Sequence, residues 1–168
     1  IYCYVNGDFE NSVRKPLLMK VSLDGSTREV ICNLDENIIS MALHRGKLYY
    51  TVSKISKDSK EMDKDICEYS VRYIDLAHPD DVKIILSDKK SRGSIQGLIP
   101  IGNKLLYREL WSTKNGEEME YSLYLYDLES GKKTKVDDVL DKGELMCTYS
   151  LIDNNTLYFI VTKDWDNK

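Results

Sequence analysis

Residues 46–53 read Gly46-Lys47-Leu48-Tyr49-Tyr50-Thr51-Val52-Ser53, and this stretch decides the predicted fold. Related stretches begin at Asn103 and Asn155, and a version that lacks the turn opens the chain at Ile1. Their apolar strands begin at residues 1, 48, 105 and 157, so successive copies lie 47, 57 and 52 residues apart. One four-stranded blade of a β-propeller occupies about fifty residues. The spacing therefore predicts a series of similar β units.

Two short hairpins are predicted in each unit. An apolar run precedes each copy of the stretch, and a tight turn containing Gly or Asn separates the two. These residue types supply the positive φ that a two-residue hairpin turn requires. A longer polar segment then leads to a third strand, a second turn and a fourth strand. With the strands named A to D in chain order, the tyrosine-rich copies are strand B, and the others are 38–43, 95–101 and 145–152 for A, 18–23, 71–76 and 123–128 for C, and 29–32, 82–86 and 134–136 for D.

The predicted fold is all-β, a partial β-propeller of four-stranded antiparallel blades. The predicted boundaries are 1–34 for a first blade that lacks strand A, 35–90 and 91–140 for two complete blades, and 141–168 for strands A and B of a fourth. Because propellers have about four to eight blades, we expect the chain to be a fragment of a longer propeller. We expect its open strand edges to pair with the missing blades or to self-associate.

Composition narrows the classes of partner. Hydrophobic residues make up 42% of the chain and charged residues 31%, which is typical of a globular protein. The net charge of −4 provides no basic surface, so nucleic acid is not a predicted partner. No apolar run approaches the ~20 residues that a membrane-spanning helix needs. Twelve tyrosines favour half-buried strands, in which the ring packs on the sheet and the hydroxyl reaches water.

The four cysteines, Cys3, Cys32, Cys67 and Cys147, form no Cys-x-x-Cys pair. We interpret them as free thiols that pack as small apolar residues. A disulfide between Cys3 and Cys32 is an open alternative if their strands are neighbours.

Three segments carry a family resemblance. They are Tyr49-Tyr50, the run Leu-Tyr-Asp-Leu-Glu-Ser-Gly-Lys at 125–132, and Lys-Val-Ser-Leu-Asp-Gly-Ser at 20–26. With these segments the chain resembles the TolB-like propellers, and it is similar to uncharacterised extracytoplasmic propellers of Gram-positive bacteria. The resemblance implies an extracytoplasmic or cell-surface location in a bacterium. It also implies a role as a binding platform, or as an accessory domain beside a catalytic domain such as a peptidase.

Nothing in the sequence predicts catalysis, a metal site or a cofactor. There is no Gly-x-Ser-x-Gly motif, and the two histidines, His44 and His78, fall in predicted hairpin turns. Segment 54–66 alternates carboxylates with lysines, which is more typical of a solvated loop than of a calcium site. Asp-Trp-Asp-Asn at 164–167 has the look of the start of a calcium loop, without the ligands that would have to follow. We therefore predict that the chain is not an enzyme.

The predicted binding surface is the face that carries the B–C connections. These connections, 7–16, 54–66 and 111–120, are longer than the A–B and C–D turns, and long loops on a rigid scaffold are frequent binding sites. Trp111, Trp165 and Phe9 are the candidate anchors there, although a tryptophan can instead fold back to cap its blade. The predicted function is a non-catalytic binding module for a protein or a small molecule. The alternative is an accessory propeller of a hydrolase.

Overall fold

The computed structural model describes residues 2–5, 17–33, 38–57, 65–91, 93–112, 119–136, 144–153 and 156–163. This part of the chain forms β-strands and turns and contains no helix. Its thirteen strands are β1 Tyr2–Val5, β2 Leu17–Val21, β3 Arg28–Asn33, β4 Ile38–His44, β5 Lys47–Lys57, β6 Asp65–Asp75, β7 His78–Ser91, β8 Gly93–Ile101, β9 Lys104–Ser112, β10 Met119–Asp127, β11 Lys133–Lys135, β12 Glu144–Asp153 and β13 Thr156–Lys163.

The strands form four antiparallel sheets, and within each sheet the strands pair in the order of the sequence. Sheet 1 contains β1 to β3, sheet 2 contains β4 to β7, sheet 3 contains β8 to β11, and sheet 4 contains β12 and β13. The predicted all-β class is confirmed. The predicted A–B hairpins are present as β4–β5, β8–β9 and β12–β13, and the C–D hairpins as β2–β3, β6–β7 and β10–β11.

The turn in the opening stretch of the sequence has the geometry that its residues predict. His44 pairs with Lys47 across a two-residue turn, in which φ is 49° at Arg45 and 74° at Gly46. Two consecutive positive φ values define a type I′ turn, whose twist matches that of the flanking strands. Glycine adopts this conformation without strain, whereas arginine does so at a cost because of its Cβ.

Sheet 2 packs against sheet 1 on one face and against sheet 3 on the other. Successive side chains of a strand point to opposite sides, so a single strand of sheet 2 contributes to both cores. Leu48 and Tyr50 of β5 pack with Leu18 of sheet 1, while Tyr49 packs against Leu105 of sheet 3. The core between sheets 1 and 2 contains Leu18, Leu48, Tyr50, Val52 and Ile74, and the core between sheets 2 and 3 contains Tyr49, Tyr69, Val71, Ile95, Leu98, Leu105 and Tyr107.

Several strands are longer than the sequence predicts. Segment 54–66 was expected to be a loop, but β5 continues to Lys57 and β6 begins at Asp65. Lys54 stands opposite Glu68 in the ladder, and Lys57 stands opposite Asp65. The loop prediction was therefore wrong for 54–57 and 65–66, which continue the two paired strands.

The second turn of sheet 2 is also shorter than predicted. His78 was assigned to a turn but is the first residue of β7, and the turn consists of Leu76 and Ala77. β7 then runs for 14 residues along the edge of sheet 2. Val82 and Ile84 are exposed on this edge strand, and Lys83 between them forms a 3.2 Å ion pair with Asp81.

The structure excludes the disulfide alternative for Cys32. Its strand, β3, does not neighbour β1, which carries Cys3, because β2 lies between them. Two strand spacings amount to roughly 9–10 Å, too far for a disulfide. Cys32 is a free, half-buried thiol. Burial, together with the nearby Asp80 carboxylate, raises the pKa of this thiol.

In two of the repeat units, an aspartate side chain stabilises the turn between the last two strands. The Asp24 carboxylate accepts hydrogen bonds from the Ser22 hydroxyl at 2.6 Å, the Ser26 hydroxyl at 2.8 Å and the Ser26 backbone N–H at 3.0 Å. Asp127 accepts hydrogen bonds from the N–H and hydroxyl of Ser130, three residues further along, at 2.8 and 2.9 Å. These bonds favour the charged carboxylates, so the pKa of each aspartate is lowered.

We expect the Asp24 carboxyl to titrate with a pKa of about 2, below its ordinary value of 3.8, chiefly because of the Ser22 hydroxyl. Since the folded pKa is the lower one, the stabilisation is present above pH 4 and is lost as the pH falls from about 4 to about 2. NMR titration of the side-chain carboxyl carbon measures this pKa. The Ser22→Ala variant removes the main donor and should move the pKa back towards 3.8. A midpoint near 3.8 in the unmodified chain would contradict the prediction.

Candidate functional site

A cleft opens between sheets 2 and 3 at the end where the β4–β5 hairpin turns. Its volume is about 400 Å³, in the range of pockets that hold small molecules. Sheet 2 lines it with the β4–β5 turn, a pair of tyrosines and one residue of β7, and sheet 3 with the turns that follow β8 and β10. The cleft therefore lies at the opposite end of the strands from the B–C connections.

Sheet 2 gives the cleft a basic rim and an aromatic wall. His44, Arg45 and Lys47 come from the β4–β5 hairpin. Tyr49 and Tyr73 stand directly opposite each other on β5 and β6, with ring centroids 5.6 Å apart and planes tilted by 43°. The Lys47 ammonium lies 4.7 Å from the centroid of the Tyr73 ring, within the range of a cation–π interaction.

The facing wall combines apolar and polar groups. Leu128 and Glu129 follow β10, and Asn103 lies in the β8–β9 turn. The backbone N–H of Leu128 donates to the Asn103 carbonyl at 2.9 Å, and the Asn103 side-chain amide donates to the Glu129 carboxylate at 3.3 Å. Among the described residues that line the cleft, Glu129 is the one acid, and it is already hydrogen-bonded to Asn103.

Hydrogen bonds between the sheets fix the width of the cleft. Nε2 of His44 lies 2.8 Å from the Gly102 carbonyl oxygen, which can only accept, so Nε2 carries a proton and donates it. The Tyr126 hydroxyl donates to the Ile85 carbonyl at 3.0 Å. Further along, the N–H of Leu98 donates to the Ser40 hydroxyl at 3.0 Å. These bonds bridge sheets 2 and 3 and hold the two walls in register.

The rim keeps its positive charge. Neither Arg45 nor Lys47 forms an ion pair with an acid within the described ranges. Burial, with a smaller contribution from Tyr73, raises the pKa of the Tyr49 phenol, and the Arg45 guanidinium opposes that rise. The phenol is therefore protonated near neutral pH, where it can donate a hydrogen bond. This arrangement can bind an anion but provides no activated nucleophile.

A second polar cluster lies further along the same two sheets. The Glu109 carboxylate, of which 1% is exposed, accepts a hydrogen bond from the Lys133 ammonium of β11. That ammonium also lies 3.9 Å from the centroid of the Tyr124 ring, which stacks on Tyr107. Burial and the Glu109 charge raise the pKa of both Tyr69 and Tyr107. We interpret this cluster as structural, because a buried carboxylate must be neutralised.

No protein-family model matches the chain, and the search of curated proteins finds no significant match. The geometry and chemistry of the described residues therefore carry the functional interpretation. They contain no group of three or more His, Cys, Asp or Glu side chains that could hold a metal ion. They also contain no helix with the length and apolar character needed to cross a membrane.

Of the sequence-predicted anchors, Trp111 belongs to the described residues, and it does not line the cleft. Trp111 was assigned to a loop but lies within β9, half-buried and paired with Gly93 and Glu120. That assignment was wrong because β9 and β10 continue their pairing past the last apolar position. Phe9 and Trp165 lie outside the described residues.

Sequence reasoning also missed the cleft. His44 was interpreted as an ordinary turn residue, yet its ring nitrogen donates a hydrogen bond to the Gly102 carbonyl of sheet 3. A signal was available in Arg45, because a basic residue stands in a turn where Asn or Gly is usual.

Proposed function

We propose that the chain is a non-catalytic binding module built on part of a β-propeller and that it binds a small molecule in the cleft between sheets 2 and 3. The observation that carries this proposal is the cleft itself, in which charged and aromatic side chains from two sheets converge on about 400 Å³. A concave site with a few convergent polar groups on a rigid scaffold is the usual form of a ligand site.

The propeller architecture is part of the same proposal. Sheets 1 to 3 follow one another in the chain and pack face to face, and their strands are connected in sequence order. Successive propeller blades follow one another in the same way, and this likeness supports the proposal. From the resemblance to extracytoplasmic propellers, we also propose that the module works outside the cytoplasm.

Three ring-bearing probes of different charge test the binding site. Phenylacetate, benzyl alcohol and benzylamine would be titrated separately into the full chain at millimolar concentration. We expect at least one probe to shift the backbone amide signals of Arg45, Gly46 and Asn103 in a saturable way. The amide of Asp24 in sheet 1 serves as the internal control and should not shift.

Two results would overturn this proposal. One is the absence of a saturable shift with all three probes. The other is a saturable shift of the Trp111 indole signal while the turn residues stay unchanged, which would move the binding surface to the far end of β9.

A further inference from the structure

We infer that the ligand of this cleft is a small organic anion, a carboxylic acid with an apolar body. The inference rests on the proposed binding function and adds the class of ligand. It is carried by three features of the cleft, namely its unbalanced charge, its apolar wall and the unusual residue at its rim.

The cleft carries a surplus of positive charge. Arg45 and Lys47 line it, and Glu129 is the one carboxylate among the described lining residues. That carboxylate accepts a hydrogen bond from Asn103, which further stabilises its charge. The acid that stands opposite Lys47 in the ladder is Asp75, and its side chain instead accepts a bond from the backbone N–H of Ala77 at 3.0 Å. The two cations are thus available to a bound anion.

The apolar side chains define the rest of the ligand. The Tyr73 ring and the Ile85 and Leu128 side chains line the same cleft. A carboxylate at Arg45 and Lys47 would place the adjoining hydrocarbon against these three side chains. Inorganic phosphate or sulfate would satisfy the cations but leave the apolar wall unused, whereas a free amine would meet the cations directly.

Arg45 is not explained by the needs of its turn. Its φ of 49° lies in the left-handed region, which costs an L-residue with a Cβ about 1–2 kcal/mol. Asparagine would adopt this conformation more easily. A guanidinium, however, can form two parallel hydrogen bonds with a carboxylate. The residue therefore fits a binding role better than a structural one.

Phenylacetate, benzyl alcohol and benzylamine separate the ligand classes when their dissociation constants are compared at low salt. We expect phenylacetate to bind about tenfold more tightly than benzyl alcohol, the factor for roughly one added charged hydrogen bond. Benzylamine should bind most weakly. The preference for phenylacetate should shrink as salt is added, because the rim is exposed to solvent.

Two variants test whether Arg45 and Lys47 cause the preference for phenylacetate. Arg45→Asn and Lys47→Gln should each remove most of the preference for phenylacetate and leave the affinity for benzyl alcohol within twofold. Asn suits the turn, so Arg45→Asn should melt no lower than the unmodified chain, which guards against a folding defect. Arg28→Gln in sheet 1 removes the same charge away from the cleft and should preserve the preference.

The outcomes distinguish the two proposals. If benzyl alcohol binds in the cleft and phenylacetate binds no more tightly, the anion inference fails while the binding function stands. If benzylamine binds most tightly, the Glu129 carboxylate decides which ligand is preferred. The anion inference then fails, while the binding function stands. If no probe binds, the proposed function itself fails. An equal loss of preference in Arg28→Gln would show a general charge effect and would also overturn the inference.

Discussion

Replacing Lys133 by alanine is expected to lower the free energy of unfolding by about 3 kcal/mol, at the lower end of the range for breaking a buried ion pair. The substitution leaves the Glu109 carboxylate, of which only 1% is exposed, without its ammonium partner. It also removes the cation that lies over the Tyr124 ring. We take the lower end because 32% of the Lys133 side chain remains accessible to water. Urea unfolding of both chains measures the difference.

Two further variants show whether the buried charge is the cause. Lys132 is exposed beside the pair, so Lys132→Ala should change stability by less than about 0.5 kcal/mol. Adding Glu109→Gln to Lys133→Ala removes the buried charge and should restore part of the loss. A Lys133→Ala chain as stable as the unmodified one would show that Glu109 is satisfied without Lys133.

The second large effect is expected at Ile95, whose side chain is fully buried between sheets 2 and 3. Ile95→Ala should cost about 3 kcal/mol, because it removes three carbon atoms from a packed core and leaves a cavity. The matched control is Ile84→Ala on β7, where 60% of the residue is already exposed and the cost should stay below about 1 kcal/mol. Urea unfolding again measures both.

Equal costs for Ile95→Ala and Ile84→Ala would contradict the packing of sheet 2 on sheet 3. A large loss for Ile84→Ala alone would indicate that β7 is covered in solution by another surface.

The local pattern of the chain was predictable, since it depends on neighbours in the sequence. Gly46 marked a tight turn, and the turn has the required positive φ. The alternation of Leu48, Tyr49 and Tyr50 belongs to a strand buried on both sides, and these residues do face two different cores. The ends of strands were harder to predict, because charged residues such as Lys57 continue a ladder without any apolar signal.

Arg45 hinted at a role for its turn, but the cleft as a whole could not be predicted, because its walls come from different repeat units. Arg45 belongs to the first hairpin of sheet 2, and Glu129 to the second hairpin of sheet 3. Nothing in either segment fixes the distance between the two sheets. That distance depends on contacts such as the His44–Gly102 hydrogen bond, which join residues far apart in the chain. Trp111 was predicted as an anchor because it is a tryptophan in a segment assigned to a B–C loop, and that assignment placed the end of β9 too early.

The long edge strand β7 has a consequence for solubility. An uncovered strand edge can recruit a strand from another molecule, and exposed Val82 and Ile84 would favour such aggregation. Lys83 and Asp81 form an ion pair and, because side chains alternate along the strand, project from the opposite face of β7. An incoming strand would have to strip water from both charges. The Lys83–Asp81 pair is too exposed to contribute much to folding, and we expect its charges to oppose pairing with a neighbouring molecule instead.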